Sequence, residues 1–343
     1  IDSVSEATLH IKLLDNFDKE RDAVASNTVV HWKKTGDELE SEKYENLERV
    51  RNRESEVDAN LDTLAALSAK KRPVLLDDLA REEFRVQVGL KVEEHTAKYK
   101  ELMSWIAEKE AYLNVKEEIN NISDAQVQIT LLEAYEAEKV RLTDTGVAYF
   151  KDLGAHILAQ KYETEYSSWV WEQPELITGH ESDVANKWAE LAELSGEKRR
   201  VLDGDLEREE EKERLRIEFA QLAADYVRWS SDNENNLVSH FGFTLAEVEA
   251  YAHTLEAQSK AVDEEGAQRM SEINANWEAG QAIGVTENKY TEHNLDTLAA
   301  QREKMEGAIA ACKEAYEKEL ERQRRNDALC REYAGLVDPF LEW

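Results

Sequence analysis

Apolar residues along most of this chain recur at spacings of three and four, as in Val147, Phe150, Gly154 and Ile157. That rhythm lays one apolar stripe along a helix and leaves its other faces to Glu and Lys. From Ser123 to Lys161 the rhythm is unbroken and predicts a helix of about 57 Å at about 1.5 Å per residue. A stripe that narrow cannot bury itself, so long helices separated by short breaks imply a bundle. The breaks are expected at residues 120–123, 172–181 and 280–290. Ser5, Ser123 and Thr244 are the expected caps, because a side-chain oxygen there can accept from the exposed N–H groups of a helix start. Between Leu202 and Trp229 there is no break, which predicts a helix continuing from one bundle into the next.

The pattern repeats with a period near 120 residues. Adding 118 carries Leu14, Phe17, Val24, Trp32, Gly36 and Leu39 onto Leu132, Tyr135, Leu142, Phe150, Gly154 and Ile157, and Lys43-Tyr44 onto Lys161-Tyr162. A further 120 carries Leu142, Phe150 and Ile157 onto Val262, Met270 and Trp277. The segment NLDTLAA occurs at 60–66 and again at 294–300, 234 residues later. Leu79-Ala-Arg-Glu82, Leu206-Glu-Arg-Glu209 and Leu320-Glu-Arg-Gln323 mark a third recurring register, followed by Trp105, Trp229 and Trp343. Repetition at this scale is the signature of stacked supersecondary units. Each unit reads as three helices, so the expected class is all-α: tandem three-helix bundles joined by continuous helices into an elongated rod. The divisions fall at 1–85 (a partial unit with second and third helices), 86–207, 208–322, and 323–343 (the start of a following first helix).

Composition sharpens this picture. Only 13 Gly and 3 Pro interrupt 343 residues, and 34% of them are charged, which suits long helices. The formal net charge of −31 repels phosphate backbones and anionic leaflets, so neither nucleic acid nor a membrane surface is an expected partner. No apolar run approaches the roughly 20 residues of a membrane span. Cys312 and Cys330 lie 18 residues apart in one predicted helix, about 27 Å, too far to pair with each other. Free thiols and the lack of a signal-like N-terminus imply a soluble cytoplasmic protein. A chain starting at Ile1 and stopping at Trp343 inside an apolar pattern is expected to be part of something larger.

Patterns that would carry catalysis or bind a metal do not emerge from these residues. Asp232-Asn-Glu-Asn-Asn236 lacks the Gly and the distant Glu of a calcium loop, and no His or Cys stands at ligand spacing. There is no Gly-rich phosphate loop and no nucleophile elbow, and 74 acidic residues make carboxylate pairs uninformative. The expectation is a protein that is not an enzyme and needs no cofactor or metal. Trp105, Trp188, Trp229, Trp343, Trp32, Phe150 and Trp277 fall on the repeating stripes and are the expected repeat core. Trp169 and Trp171 lie outside the repeat, in Ser167-Ser-Trp-Val-Trp-Glu-Gln-Pro174. They form either a local cap over the end of a bundle, the simpler role, or a surface for another protein.

Tryptophan at recurring helix positions, with Glu332-Tyr-Ala-Gly-Leu-Val-Asp-Pro-Phe-Leu-Glu-Trp343 and Asn288-Lys-Tyr-Thr-Glu-His-Asn294, resembles the spectrin-repeat family, and within it the rods of the α-actinins. The resemblance implies a cytoskeletal spacer that pairs antiparallel with a second copy. It also implies actin filaments as partners, held through flanking domains that this chain lacks. The competing expectation is a monomeric linker or scaffold, spectrin- or plakin-like, that docks other cytoskeletal proteins at its corners.

Overall fold

A computed structural model describes every residue from Ile1 to Trp343. Helices hold 85% of them, which makes the chain all-α. In order they are α1 (Val4–Ala23) and α2 (Val30–Ser41), joined by a π-helical turn at Val24–Val29; α3 (Leu47–Asn114); and α4 (Ile122–Leu142) and α5 (Ala148–Ala159), joined by a second π-turn at Thr143–Val147. Two short strands, β1 (Lys161–Glu163) and β2 (Ser168–Val170), then precede α6 (Pro174–Asn235), α7 (Leu245–Ala282) and α8 (Leu295–Glu342). With 68 residues, α3 runs about 102 Å at about 1.5 Å per residue, and continues through Pro73.

The chain divides into two compact units, Ile1–Lys116 with Leu131–Arg199 and Glu117–Thr130 with Arg200–Trp343. Helix α6, unbroken over 62 residues, supplies residues to both. In the first unit, Val88 and Val92 of α3, Leu153 and Ile157 of α5 and Ile177 of α6 form one buried cluster. Leu102, Val147, Phe150 and Val184 form the next. Three helices contribute to each cluster, as the narrow stripes require. In the second unit Phe219, Ala223 and Tyr226 of α6 meet Ile273 of α7 and Leu298 of α8. A further cluster joins Phe241, Val248 and Leu255 to Cys312 and Tyr316.

Contacts recur as well as residues. Arg81 pairs with Asp78 at 2.9 Å and with buried Glu82 at 3.1 Å. In α6, Arg208 pairs with Asp205 at 2.8 Å beside buried Glu209, and in α8 Arg322 pairs with Glu319 at 2.6 Å while Gln323 donates to the same carboxylate at 2.9 Å. Gly36 and Gly154 also share a task. Each leaves room for a carboxylate, Glu54 and Glu181 respectively, where a Cβ would collide.

Several expectations change. Trp32 is 52% exposed and Trp343 99%, so neither is a core residue in this structure. Trp32 lies where only α2 and α3 meet, and two helices cannot enclose a ring that a three-helix bundle would cover. Trp343 ends a run of exposed apolar residues on α8 that includes Leu336 and Phe340. Trp105, Trp188, Trp229 and Trp277 are half-buried. Trp188, Trp229 and Trp277 pack against the clusters, and Trp105 stacks on Trp188 at 5.2 Å and donates to Glu138 at 3.0 Å. The first helix is capped by Ser3, whose hydroxyl accepts from the N–H of Glu6 at 3.2 Å, and not by Ser5. Asn121 takes the place expected of Ser123, accepting from the N–H of Asp124 at 2.9 Å. Thr244 does cap α7, in a reciprocal box with Glu247. The break expected at 172–181 is displaced to 160–173, because Pro174, lacking an N–H and pre-set for helix, starts α6.

Phe150 is fully buried between three helices, so Phe150→Ala should lower stability by about 3–5 kcal/mol. Urea unfolding followed by far-UV circular dichroism measures it; a loss below about 1 kcal/mol would place Phe150 outside any well-packed core.

Candidate interaction site at the aromatic corner

Between α5 and α6 the chain alternates in-and-out residues instead of helical ones. Tyr162 and Trp169 are paired across β1 and β2 and both face inward, while Lys161, Glu163, Ser168 and Val170 face solvent. This period of two, rich in aromatic and β-branched residues, is a strand signal. Sequence reasoning reads it only as a corner, because three-residue strands fall below the length at which the pattern stands out. The hairpin closes through Thr164, whose N–H donates to the carbonyl of Ser167 at 2.9 Å and whose hydroxyl accepts from the N–H groups of Tyr166 and Ser167 at 3.1 Å each.

The inward face lies on α3. Phe84 meets Tyr162 at 5.7 Å and Trp169 at 5.9 Å, the second edge-on, and the Arg85 guanidinium lies 5.9 Å from the Trp169 ring centroid. Trp169 and Trp171 thus lie against the Val88–Ile177 cluster as a cap over its end. They also line a cavity of about 510 Å³ with Ser5, Glu82, Arg85 and Val86. Trp171 Nε1 donates to the carbonyl of Gln173 at 2.9 Å, and Trp169 Nε1 is buried without an acceptor.

A single carboxylate holds the hairpin down. Asp77 on α3, 8% exposed, accepts from the hydroxyls of Tyr162 at 2.9 Å, Thr164 at 2.6 Å and Ser167 at 2.5 Å. Burial alone pushes this carboxyl up, but the bonds from Ser167, Thr164 and Tyr162 outweigh it and hold the group below the usual carboxylate range. In the second unit the loop before α8 is fastened in the same way. Tyr290 donates to Glu213 of α6, Lys289 pairs with that carboxylate at 2.7 Å, and Asn288 donates to the carbonyl of Arg216 at 2.7 Å. Lys289 and Tyr290 bring the Glu213 carboxyl down to about 2. Both latches use the tyrosine of the recurring Lys-Tyr pair. At the first such pair, Tyr44 is exposed.

No family model matches the chain. It is 25% identical to alpha-actinin A of Dictyostelium discoideum over 285 residues, 82% of this chain and 31% of that protein. It is 26% identical to the erythrocytic spectrin alpha chain 1 of Mus musculus over 246 residues, 70% of this chain and 10% of that one. The chain is a homologue of spectrin-repeat proteins. It spans about a third of the first relative and a tenth of the second, and both are structural cytoskeletal proteins. No group of three His, Cys, Asp or Glu residues in the structure could hold a metal, and no helix is long and apolar enough to cross a membrane.

The first unit also carries a ladder of rings that ends inside its core. Tyr99 stacks on His180 at 3.9 Å, His180 lies 5.7 Å from His95, and His95 stacks on Phe150 at 4.2 Å. His95 is fully buried with neither ring nitrogen bonded, and Glu181 Oε1, also unbonded, lies 4.0 Å from its Nε2. Burial, with the charge of His180 second, brings the His95 imidazole down to about 4; burial pushes Glu181 up against the pull of Lys151. Neither effect shows in a linear sequence, where His95 and His180 are two isolated histidines.

Removing the Asp77 carboxylate by Asp77→Ala should cost about 1–3 kcal/mol and redden the emission of Trp169 as the hairpin lifts. Unchanged fluorescence would show that the aromatic packing holds the corner alone. The Glu213 latch, with its carboxyl lowered, contributes stability that is complete above the ordinary glutamate range and is lost as pH falls from about 4.5 through about 2. Glu213→Gln should flatten that part of the pH–stability curve. His95, lowered from 6.5 to about 4, acts over a higher window: the unfolded chain takes up the proton first, so stability falls as pH drops from 6.5 to about 4. Glu181, with a raised pKa, works in the opposite sense. An NMR titration in which the His95 imidazole protonated near 6.5 would contradict its burial as a neutral ring.

Proposed function

We propose that this chain is a rod segment of a cytoskeletal actin cross-linking protein of the α-actinin kind. In this reading it pairs antiparallel with a second copy and sets the distance between actin-binding ends, which belong to flanking domains. The observation that carries the proposal is the similarity to alpha-actinin A along 82% of the chain. Long helices sharing three-sided cores suit such a role, because a bundle with a continuing helix resists bending better than domains on flexible linkers. The proposed repeats are a partial one at 1–85, complete ones at 86–207 and 208–322, and the first helix of another from 323 onward. Such a rod works in the cytoplasm, on the cytoskeleton, without catalysis or cofactor.

A second reading is a monomeric spectrin- or plakin-like linker that docks other proteins. It is favoured by the cavity that Trp169 and Trp171 line, since clustered tryptophans beside an arginine are the usual anchors of a protein contact. Sedimentation equilibrium with small-angle X-ray scattering separates the two readings. The first predicts a dimer whose maximum dimension is little greater than that of one chain. A chain that stays monomeric at tens of micromolar, about the range in which standard-sized interfaces are occupied, would refute antiparallel pairing and leave the linker.

A further inference from the structure

The latch on the aromatic corner is made of groups that can be covalently altered. Asp77 accepts from three side-chain hydroxyls, Tyr162, Thr164 and Ser167, within one six-residue stretch. In that stretch Glu163, Thr164, Glu165 and Tyr166 are exposed, and Ser167 is half-buried with its Oγ on Asp77 at 2.5 Å. Thr164 builds the turn as well as the latch, since its hydroxyl also accepts two main-chain N–H bonds. The Ser167 hydroxyl serves the latch without serving the turn. Arg81, the cation whose charge acts on Asp77, is already engaged by Asp78, Glu82 and the carbonyl of Ile1.

We propose that Ser167 is a phosphate-accepting residue and that phosphorylation there unlatches the 160–173 hairpin from α3. A protein kinase would move the γ-phosphoryl group of a nucleoside triphosphate onto Ser167 Oγ. The bond from the γ-phosphorus to the β–γ bridging oxygen breaks, an Oγ–phosphorus bond forms, the hydroxyl proton passes to the kinase's base, and the nucleoside diphosphate leaves. A hydrogen-bond donor is thereby replaced by a group of about −1.5 to −2 charge against a buried carboxylate, with the neighbouring arginine already committed. Because Oγ points inward in the latched form, a kinase meets it only after the hairpin has opened, so the modification traps the open state. Opening withdraws Tyr162 and Trp169 from Phe84 and uncovers the aromatic end of the Val88–Ile177 cluster. Glu163 and Glu165 beside the serine suit a kinase that reads acidic residues.

The test uses the full chain with phosphoserine installed at position 167 during translation, beside the parent chain, Ser167→Ala, and phosphoserine combined with Asp77→Asn. Limited proteolysis mapped by mass spectrometry reads opening of the hairpin, and far-UV circular dichroism checks that the helices remain folded. Phosphoserine should speed cleavage within 160–173 by about tenfold or more, Ser167→Ala by no more than about threefold. Asp77→Asn should slow cleavage of the phosphorylated chain, because the amide removes the repulsion and can donate to the phosphate. Cleavage of the phosphoserine chain no faster than of Ser167→Ala, or no slowing by Asp77→Asn, would overturn the latch mechanism. With an acid-directed serine kinase, Asp77→Ala should gain phosphate at Ser167 about fivefold faster than the parent. Equal rates would overturn the trapping step, and no phosphate at Ser167 in either chain would overturn its assignment as acceptor.

Discussion

Each helix of this protein carries an apolar stripe too narrow to be covered by one partner, and that shortage of covering surface governs the rest of the structure. Where three helices share a core, as around Phe150 or around Tyr226, side chains reach complete burial. Where only α1 or α2 meets α3, the same kinds of residue stay in solvent: Leu9, Leu13, Trp32, Leu64 and Leu67 are all exposed. Polar groups supply part of the cohesion there. Arg72 pairs with Asp15 at 2.8 Å and Asp18 at 2.7 Å, Ser68 donates to Asp18 at 2.6 Å, and Lys33 pairs with Asp58 at 2.6 Å. Such partly exposed pairs contribute little each, typically below about 1 kcal/mol, so apolar burial stabilises the fold most wherever a third helix makes it possible.

Helix identity, the long unbroken α6 and the recurrence of contacts were legible in the sequence because period and repetition are both statistical properties of many residues. The Arg81, Arg208 and Arg322 ladders follow directly from the recurring register around Leu79, Leu206 and Leu320. Features decided by a few residues were not legible. Tyr162 to Val170 looked like an interruption because only three residues per strand carry the alternation. The His95–His180 ladder depends on two residues 85 positions apart whose proximity exists only in the folded unit. Trp32 and Trp343 satisfied the pattern but not the packing: a stripe says which face seeks cover, not whether a third helix is there to supply it.

The third copy shows where a linear register fails. Shifting by 120 carries Phe150 onto Met270 and Ile157 onto Trp277, both half-buried, whereas the residues of α7 that are buried there are Gly266, Ile273 and Gly280. The difference is the π-turn at Thr143–Val147, which α7 lacks. A turn that closes five residues apart instead of four changes which face follows it, so two helices with matching residues before the turn expose different ones after it. The same device occurs at Val24–Val29, at the equivalent place in the first copy, and there Gly36 is buried after the turn as Gly154 is.

Helix α6 belongs to two cores at once, packing Ile177, Val184 and Leu191 in one unit and Phe219, Ala223 and Tyr226 in the other. Its middle turns around Arg199 and Arg200 hold no terminus, and therefore no cap that could stop fraying at a border between units. Melting that begins in one unit then advances along the backbone hydrogen bonds of the same helix into its neighbour, without a fresh nucleation event to slow it. Under mechanical load, the length that gives way should be set by where α6 ends and not by where either core does.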